Sequence, residues 1–217
     1  MIVEPKSRES APPTTVFLLH GYGSCGESMT HLAQALSLPN VTFVCPDAPE
    51  VCQEYPANRQ WFSLKGIHWG HFNLRQAWEV IADPLSKAAA VFQDKLSDII
   101  HHNEGDIVVA GFSQGAMMAY ELGFFSPAIK AVIGLSGVYC LKKEPIHKPA
   151  ILWTHAQDDE VVPLQWMRDS DRLFGQYGLE AQRHISPYGG HSVTEDALRI
   201  IARFLMNMTS NNTDLPH

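Results

Sequence analysis

Several of the predicted strands of this sequence are followed by residues that could jointly perform acyl transfer. One group is Gly111-Phe112-Ser113-Gln114-Gly115, a G-x-S-x-G pattern. In this pattern the serine lies on a sharp strand-to-helix turn, and glycines on both sides avoid steric collisions. The serine oxygen then projects above the sheet, near the positive dipole end of a helix that begins at Gln114. Ser113 is therefore the predicted nucleophile.

A serine hydroxyl is a weak nucleophile, so it needs a base, and the base needs an acid that orients it. In folds that carry this turn, the chain order is serine, acid, histidine. His191 follows the last predicted strand, among the small residues of the segment 188–192, and is the predicted base. Three adjacent acids follow the strand that ends at Thr154, and chain order alone does not separate them: Asp158, Asp159 and Glu160.

Acyl transfer also needs two hydrogen-bond donors for the oxyanion that develops in the transition state. The backbone N–H of Gln114, directly after the nucleophile, is one expected donor. The other is expected from the loop after the first strand, His20-Gly21-Tyr22-Gly23-Ser24, because its glycines let a substrate approach the backbone closely. We expect the backbone N–H of Tyr22 to be that donor.

The remaining histidines and the cysteines indicate no metal site. A zinc site needs three or four converging ligands, and the spacing of His68, His71 and the pair His101-His102 matches no metal motif. The four cysteines are widely spaced and form no C-x-x-C pair, so we expect reduced thiols with a packing role.

Composition and charge narrow the class of protein. The chain has 217 residues, 45% of them hydrophobic and 18% charged, which is typical of a globular protein with one sizeable core. A formal net charge of -7 argues against a nucleic-acid partner, which would need a basic face. The sequence has no apolar run long enough to span a membrane, and its polar start lacks the apolar centre of a signal peptide. We therefore expect a cytoplasmic protein.

Short aliphatic strands alternate with longer helical stretches along the chain. This alternation predicts an α/β fold with a mostly parallel central sheet and helices on both faces. Sites in such sheets lie beyond the carboxyl ends of the strands. We expect a polar segment at 1–15, one domain at 16–208 with a loop or cap at 46–72, and a polar tail at 209–217. Asp83-Pro84 predicts a helix start, with the helix running to about residue 102.

The sequence resembles the phospholipase/carboxylesterase family of α/β-hydrolases, which includes the acyl-protein thioesterases, from about Val16 to Leu205. The elbow Gly111-Phe-Ser-Gln-Gly-Ala116 carries the most specific part of this resemblance, since it matches the family's G-F-S-Q-G-A form. Further matches are Leu19-His20-Gly21-Tyr22-Gly23, Pro46-Asp-Ala-Pro49 and Arg59-Gln-Trp61-Phe62. Ser24, Ser63 and Ala156 depart from residues common in the family, and none of these departures removes a catalytic group.

The resemblance selects one acid among the three. The family's H-G-x-x-D-x-x-V-P segment, aligned through His155 and Val162-Pro163, puts the catalytic acid at Asp159. It also implies His191 as the base, Tyr22 and Gln114 as oxyanion donors, no cofactor and an acyl ester or thioester as substrate. Apolar residues of the loop are expected to help line an acyl site, unless they are ordinary packing: Trp61, Phe62, Leu64, Ile67 and Trp69.

Other interpretations of the same residues are a peptidase, a dienelactone-type hydrolase and a binding protein that lost its chemistry. A peptidase would usually need extra domains, and a dienelactone-type hydrolase would typically carry cysteine at the elbow. An inactive protein would have no reason to keep the serine, acid, histidine and both glycine loops. The sequence leaves open the acyl chain, the leaving group and whether the chain forms a homodimer.

Overall fold

The computed structural model describes residues 1–7, 12–65, 67, 73–102 and 104–210. Strands and helices alternate along them. The strands are β1 (Ile2–Val3), β2 (Thr14–Leu19), β3 (Val41–Val44), β4 (Glu50–Val51), β5 (Arg59–Gln60), β6 (Ile107–Phe112), β7 (Ile129–Leu135), β8 (Ala150–Ala156) and β9 (Ala181–Ser186). The helices are α1 (Gly26–Leu36), α2 (Leu74–His102), α3 (Gln114–Phe125), α4 (Leu164–Gln176) and α5 (Glu195–Ser210).

Seven strands form one sheet in the order β1-β3-β2-β6-β7-β8-β9. β1 runs antiparallel to β3, whereas the other neighbours are parallel. The mostly parallel sheet predicted from the sequence is therefore confirmed. β4 and β5 pair separately as a short antiparallel hairpin inside the region predicted as a loop or cap. Their two-residue strands are too short to produce the alternating pattern by which strands are recognised.

The two faces of the sheet carry separate hydrophobic clusters, because successive residues of a strand point to opposite sides. Phe17 and Leu19 of β2 pack in one cluster with buried residues of α2, α3 and α4. Val16 and Leu18 of the same strand pack in the other cluster with residues of α1 and α5. Helices therefore cover both faces of the sheet, as the sequence predicts.

Helix α2 begins at Leu74, nine residues before the predicted start at Asp83-Pro84, so that prediction was wrong. Its first turn is closed by a reciprocal cap, in which Asn73 Oδ1 accepts the Gln76 N–H at 2.9 Å and Gln76 Oε1 accepts the Asn73 N–H at 3.0 Å. Pro84 lies inside the helix, where it removes a backbone hydrogen bond at a cost of about 3 kcal/mol. The buried face continues across the proline and offsets this cost, with Leu74, Ala77, Trp78, Ile81 and Leu85.

The parallel strands end at one edge of the sheet, and the predicted site residues follow them there. Tyr22 follows β2, Ser113 follows β6, and Asp159 follows β8. His191 follows β9, in the segment that leads into α5. The order of the strands thus brings four distant parts of the chain to the same edge.

The first turn of α3 lies directly against the end of β2. A Cβ on Gly115 would lie 2.1 Å from the carbonyl oxygen of Leu19, a backbone atom that cannot swing away. At Gly175 in α4 a Cβ would meet no atom within 4 Å.

We expect Gly115→Ala to destabilise the fold by about 1–3 kcal/mol or more, because overpacking against backbone forces the helix and sheet apart. Gly175→Ala is the matched control. We expect it to raise stability by about 0.5–1 kcal/mol, because alanine favours a helix over glycine. Urea unfolding followed by circular dichroism measures both changes, and a Gly115→Ala variant as stable as the parent would contradict the packing described.

Candidate active site

Ser113 occupies the turn between β6 and α3 in a strained backbone conformation. Its φ of 54° and ψ of -112° lie in a region that residues other than glycine rarely adopt. Such a conformation costs about 1–3 kcal/mol and persists only where the surrounding structure imposes it. Here a Cβ on Gly111 would lie 2.1 Å from the carbonyl oxygen of Gly115, so the backbones on either side of the serine nearly touch. The turn presents the Ser113 side chain beyond the end of β6.

Asp159 and His191 are hydrogen-bonded to each other. His191 Nδ1 lies 2.8 Å from Asp159 Oδ2. The other carboxylate oxygen, Oδ1, accepts the backbone N–H groups of Val161 and Val162, each at 2.9 Å. The carboxylate is therefore held by its own turn while it binds the imidazole. This bond leaves Nε2 of His191 as the ring nitrogen available to a nucleophile.

The Asp159 carboxylate is buried but remains ionised. Burial by itself would raise its pKa, yet hydrogen bonds from His155, His191 and the Val162 N–H together hold the pKa well below its ordinary value. An ionised carboxylate acts only as an acceptor, so His191 Nδ1 carries the hydrogen of the bond between them.

The loop that carries His191 is fastened beside the nucleophile turn. The Gly190 N–H donates to Asp158 Oδ1 at 2.9 Å, and Ser136 Oγ lies 3.4 Å from the Ser192 carbonyl oxygen. Gly190 has φ of 56°, which glycine adopts without strain. The His191 ring packs on Phe112, the residue before Ser113, with ring centroids 4.8 Å apart. The histidine thus lies next to the elbow.

The glycine loop after β2 lies against the same turn. A Cβ on Gly21 would be 3.5 Å from the Cβ of Ser113 and 3.2 Å from the Phe112 ring. The absence of a side chain at Gly21 therefore lets this loop lie close to the nucleophile turn. Tyr22 is the next residue. On the other side, Gln114 begins α3, and N–H groups in a first helical turn lack partners within the helix.

The side chain of Gln114 connects the elbow to the 46–72 region. Its Nε2 donates to the Phe62 carbonyl oxygen at 2.7 Å, and its Oε1 accepts the Trp61 N–H at 3.0 Å. The Trp61 indole N–H in turn donates to the His20 carbonyl oxygen at 2.9 Å. This buried network joins Gln114 to the loop of Tyr22. The sequence carries no signal of this network, because a glutamine side chain does not reveal its distant partners.

The residues predicted to line an acyl site are mostly part of the core. Trp61 and Phe62 are buried, and both border a cavity of about 500 Å³ beside α2. Ile67 is also buried, and Leu64 is partly buried against the same cluster. Trp69 lies outside the described residues.

In the described parts of the chain, no three histidine, cysteine, aspartate or glutamate side chains are grouped so that they could hold a metal ion. His68 and His71 lie outside them. None of the helices described there is long and apolar enough to cross a membrane.

Comparison with known proteins decides the family. The sequence model described as phospholipase/carboxylesterase matches residues 1–209. The chain belongs to the phospholipase/carboxylesterase family. The resemblance seen in the sequence is thereby confirmed, and the family makes this chain a hydrolase of ester bonds.

Individual members of the family match along nearly their whole length. Acyl-protein thioesterase 1 of Kluyveromyces lactis is 24% identical over 94% of this chain and 95% of its own. Lysophospholipase-like protein 1 of Mus musculus is 21% identical over 98% of this chain and 93% of its own length. The crystal structure of esterase PE8 superposes with a TM-score of 0.83 at 32% identity, covering 95% of this chain and 97% of that one. The likeness to the esterase PE8 structure confirms the α/β-hydrolase fold.

The three adjacent acids of this family member differ in their surroundings. Asp159 is buried against His191, Asp158 is exposed and holds Gly190, and Glu160 is exposed. Asp158 therefore binds the backbone of the loop that carries His191.

We expect Asp159→Asn to lower kcat on an activated ester by about 10⁴, because an amide favours the wrong imidazole tautomer. Asp158→Asn should stay within about tenfold of the parent, since an amide oxygen still accepts the Gly190 N–H and an exposed charge is screened by salt. Glu160→Gln is the second control, with folding checked by circular dichroism. A crippled Asp158→Asn beside a nearly normal Asp159→Asn would show that the acid was assigned one residue out of place.

Proposed function

We propose that this chain hydrolyses carboxylic esters and thioesters through a covalent acyl-enzyme on Ser113, with His191 as base and Asp159 as the orienting acid. The observation that carries the proposal is the 2.8 Å hydrogen bond between His191 and the buried Asp159, with the His191 ring packed beside the Ser113 turn. A surface histidine without a role would need neither a buried acid nor a place at the elbow.

The reaction begins when Ser113 Oγ attacks the acyl carbon and its proton passes to His191 Nε2. Asp159 keeps the hydrogen on Nδ1 and stabilises the imidazolium that forms. The imidazolium then gives its proton to the departing alcohol or thiol as the C–O or C–S bond breaks. Water attacks the acyl-enzyme, His191 takes a proton from it, and the acid is released as Ser113 regains its hydrogen.

The backbone N–H groups of Tyr22 and Gln114 stabilise the oxyanion in both steps. Gly21 keeps the Tyr22 loop close to Ser113, and the side-chain network of Gln114 and Trp61 holds the two donor segments in register. Donors fixed before the reaction need no reorganisation when charge develops, which is why such sites contribute strongly to the rate.

The acyl chain of the substrate would need apolar side chains close to Ser113. Trp61 and Phe62 border the cavity of about 500 Å³ beside α2, and the side chain of Gln114, directly after the nucleophile, binds the backbone of both. Leu64 and Ile67 pack in the same hydrophobic cluster. The relatives named thioesterase and lysophospholipase-like favour an acyl thioester or a lysophospholipid among the possible esters.

Replacing Ser113 by alanine should lower the hydrolysis rate by about 10⁶, because no other group can form the acyl-enzyme. Rates on p-nitrophenyl esters of increasing chain length and on an acyl thioester measure the loss. Ser97→Ala is the control, a serine on the part of α2 that leads towards β6 at the opposite edge of the sheet. Activity of Ser113→Ala within tenfold of the parent would refute the nucleophile.

The hydrolysis rate should rise with pH on its acid side and then level off, because a histidine base accepts a proton only in its neutral form. Asp159 cannot produce this limb. Its lowered pKa keeps the carboxylate ionised from pH 5 to 9. The measurement is kcat/KM across that range in buffers of constant ionic strength, and a flat profile would contradict a histidine base.

A further inference from the structure

A second histidine contacts the same carboxylate oxygen that binds His191. His155 lies in β8 with its side chain fully buried, and its Nε2 is 3.3 Å from Asp159 Oδ2. The same Nε2 is 2.7 Å from the carbonyl oxygen of Val162. The sequence marks His155 only as part of the segment that aligns the acid, and its spacing does not reveal that its ring turns towards Asp159.

The contacts of His155 assign its hydrogen. Nε2 faces two acceptors, a carbonyl oxygen and an ionised carboxylate, so it must carry the hydrogen and share it between them. The other ring nitrogen, Nδ1, is buried and has no hydrogen-bond partner among the described residues. A bare nitrogen there leaves only a weak acceptor unpaired, whereas a buried N–H would be a costly unpaired donor.

Asp159 therefore receives donors on both oxygens. Val161 and Val162 fix Oδ1, whereas His191 and His155 share Oδ2. A carboxylate oxygen that serves two donors has less negative charge to offer to each of them.

We propose that His155 is a positioning residue, which competes with His191 for Asp159 Oδ2 and thereby sets the pH at which His191 becomes an effective base. The proposal rests on the proposed triad and adds a second shared donor to it. Without the His155 N–H, Oδ2 would bind the His191 imidazolium more strongly, and more alkaline solution would be needed to remove its proton. The two backbone N–H groups on Oδ1 would keep the carboxylate in place.

Other charged groups near His191 are the same in every variant of the test. Asp158 binds the loop through the Gly190 N–H, and Glu160 is exposed beside Asp159. At the base of the loop, His184 is paired with Asp196 at 2.8 Å. On the side of the nucleophile turn, His191 meets the uncharged Phe112. A difference between His155 variants therefore reports the His155 contact.

The experiment compares the pH profiles of kcat/KM for the parent, His155→Met and His155→Gln. Methionine fills a similar volume without a donor, and the glutamine amide can place an N–H near the position of Nε2. We expect the acid-limb midpoint of His155→Met to move up by about 0.5 pH units, the shift that one lost hydrogen bond corresponds to. The plateau should fall less than about tenfold, and His155→Gln should return the midpoint towards the parent value.

An unmoved or lowered midpoint in His155→Met would overturn the proposal, as would a glutamine variant that shifts as far as the methionine variant. A packing role alone would lower the stability or the plateau of both variants without moving the midpoint. The Ser113→Ala variant separates the two hypotheses. If it keeps the parent activity, the triad itself is wrong, whereas an inactive Ser113→Ala beside an unmoved midpoint removes only the role of His155.

A measurement on the parent protein covers the case in which His155→Met does not fold. Nitrogen-15 NMR of the labelled imidazoles distinguishes the two ring nitrogens of each histidine. We expect His155 to carry its hydrogen on Nε2 with Nδ1 bare, and His191 to carry its hydrogen on Nδ1. A His155 ring with hydrogen on Nδ1 and a bare Nε2 cannot donate to Asp159 and would overturn the proposal.

Discussion

The buried carboxylate of Asp159 is the constraint around which the candidate site is built. Burying a negative charge is costly unless hydrogen bonds replace the lost water. Here the turn after β8 supplies two backbone N–H groups, and two histidines supply ring N–H groups. The carboxylate therefore stays ionised although it is shielded from water. It remains able to bind the His191 ring.

The nucleophile turn depends on a different constraint, the near contact of backbones around Ser113. Glycines at 111 and 115 let β6, α3 and the end of β2 approach more closely than any side chain would allow. This packing maintains the positive φ at Ser113, and the strained conformation places the serine hydroxyl beyond the end of the sheet. The two constraints meet where the His191 ring packs on Phe112.

Much of this arrangement could be predicted from the sequence, because strong local patterns determine it. The aliphatic strands predicted the parallel sheet, and α3 begins at Gln114 as predicted. Helix α2 was placed too late, since Asp83-Pro84 is a typical start signal and the cap of Asn73 and Gln76 begins an amphipathic face nine residues earlier. The choice of Asp159 among three adjacent acids came from family resemblance, because neighbouring acids in a loop differ only in where their side chains point.

The contacts of individual side chains could not be predicted from such patterns. Neither the amide of Gln114, which binds Trp61 and Phe62, nor the ring of His155 carries a local signal of its partner. The Gln114 contacts join parts of the chain more than 50 residues apart. The His155 contact depends on the path of the turn after β8, which brings Asp159 back to the ring.

Labelling with a fluorophosphonate, followed by peptide mass mapping, tests the covalent role of Ser113. Such a probe reacts with a serine only when a base and an oxyanion site activate it. We expect one adduct, on the peptide that contains Ser113, and its loss in Asp159→Asn protein that still folds. A folded parent protein that takes up no label, or takes it up at another serine, would refute Ser113 as the nucleophile.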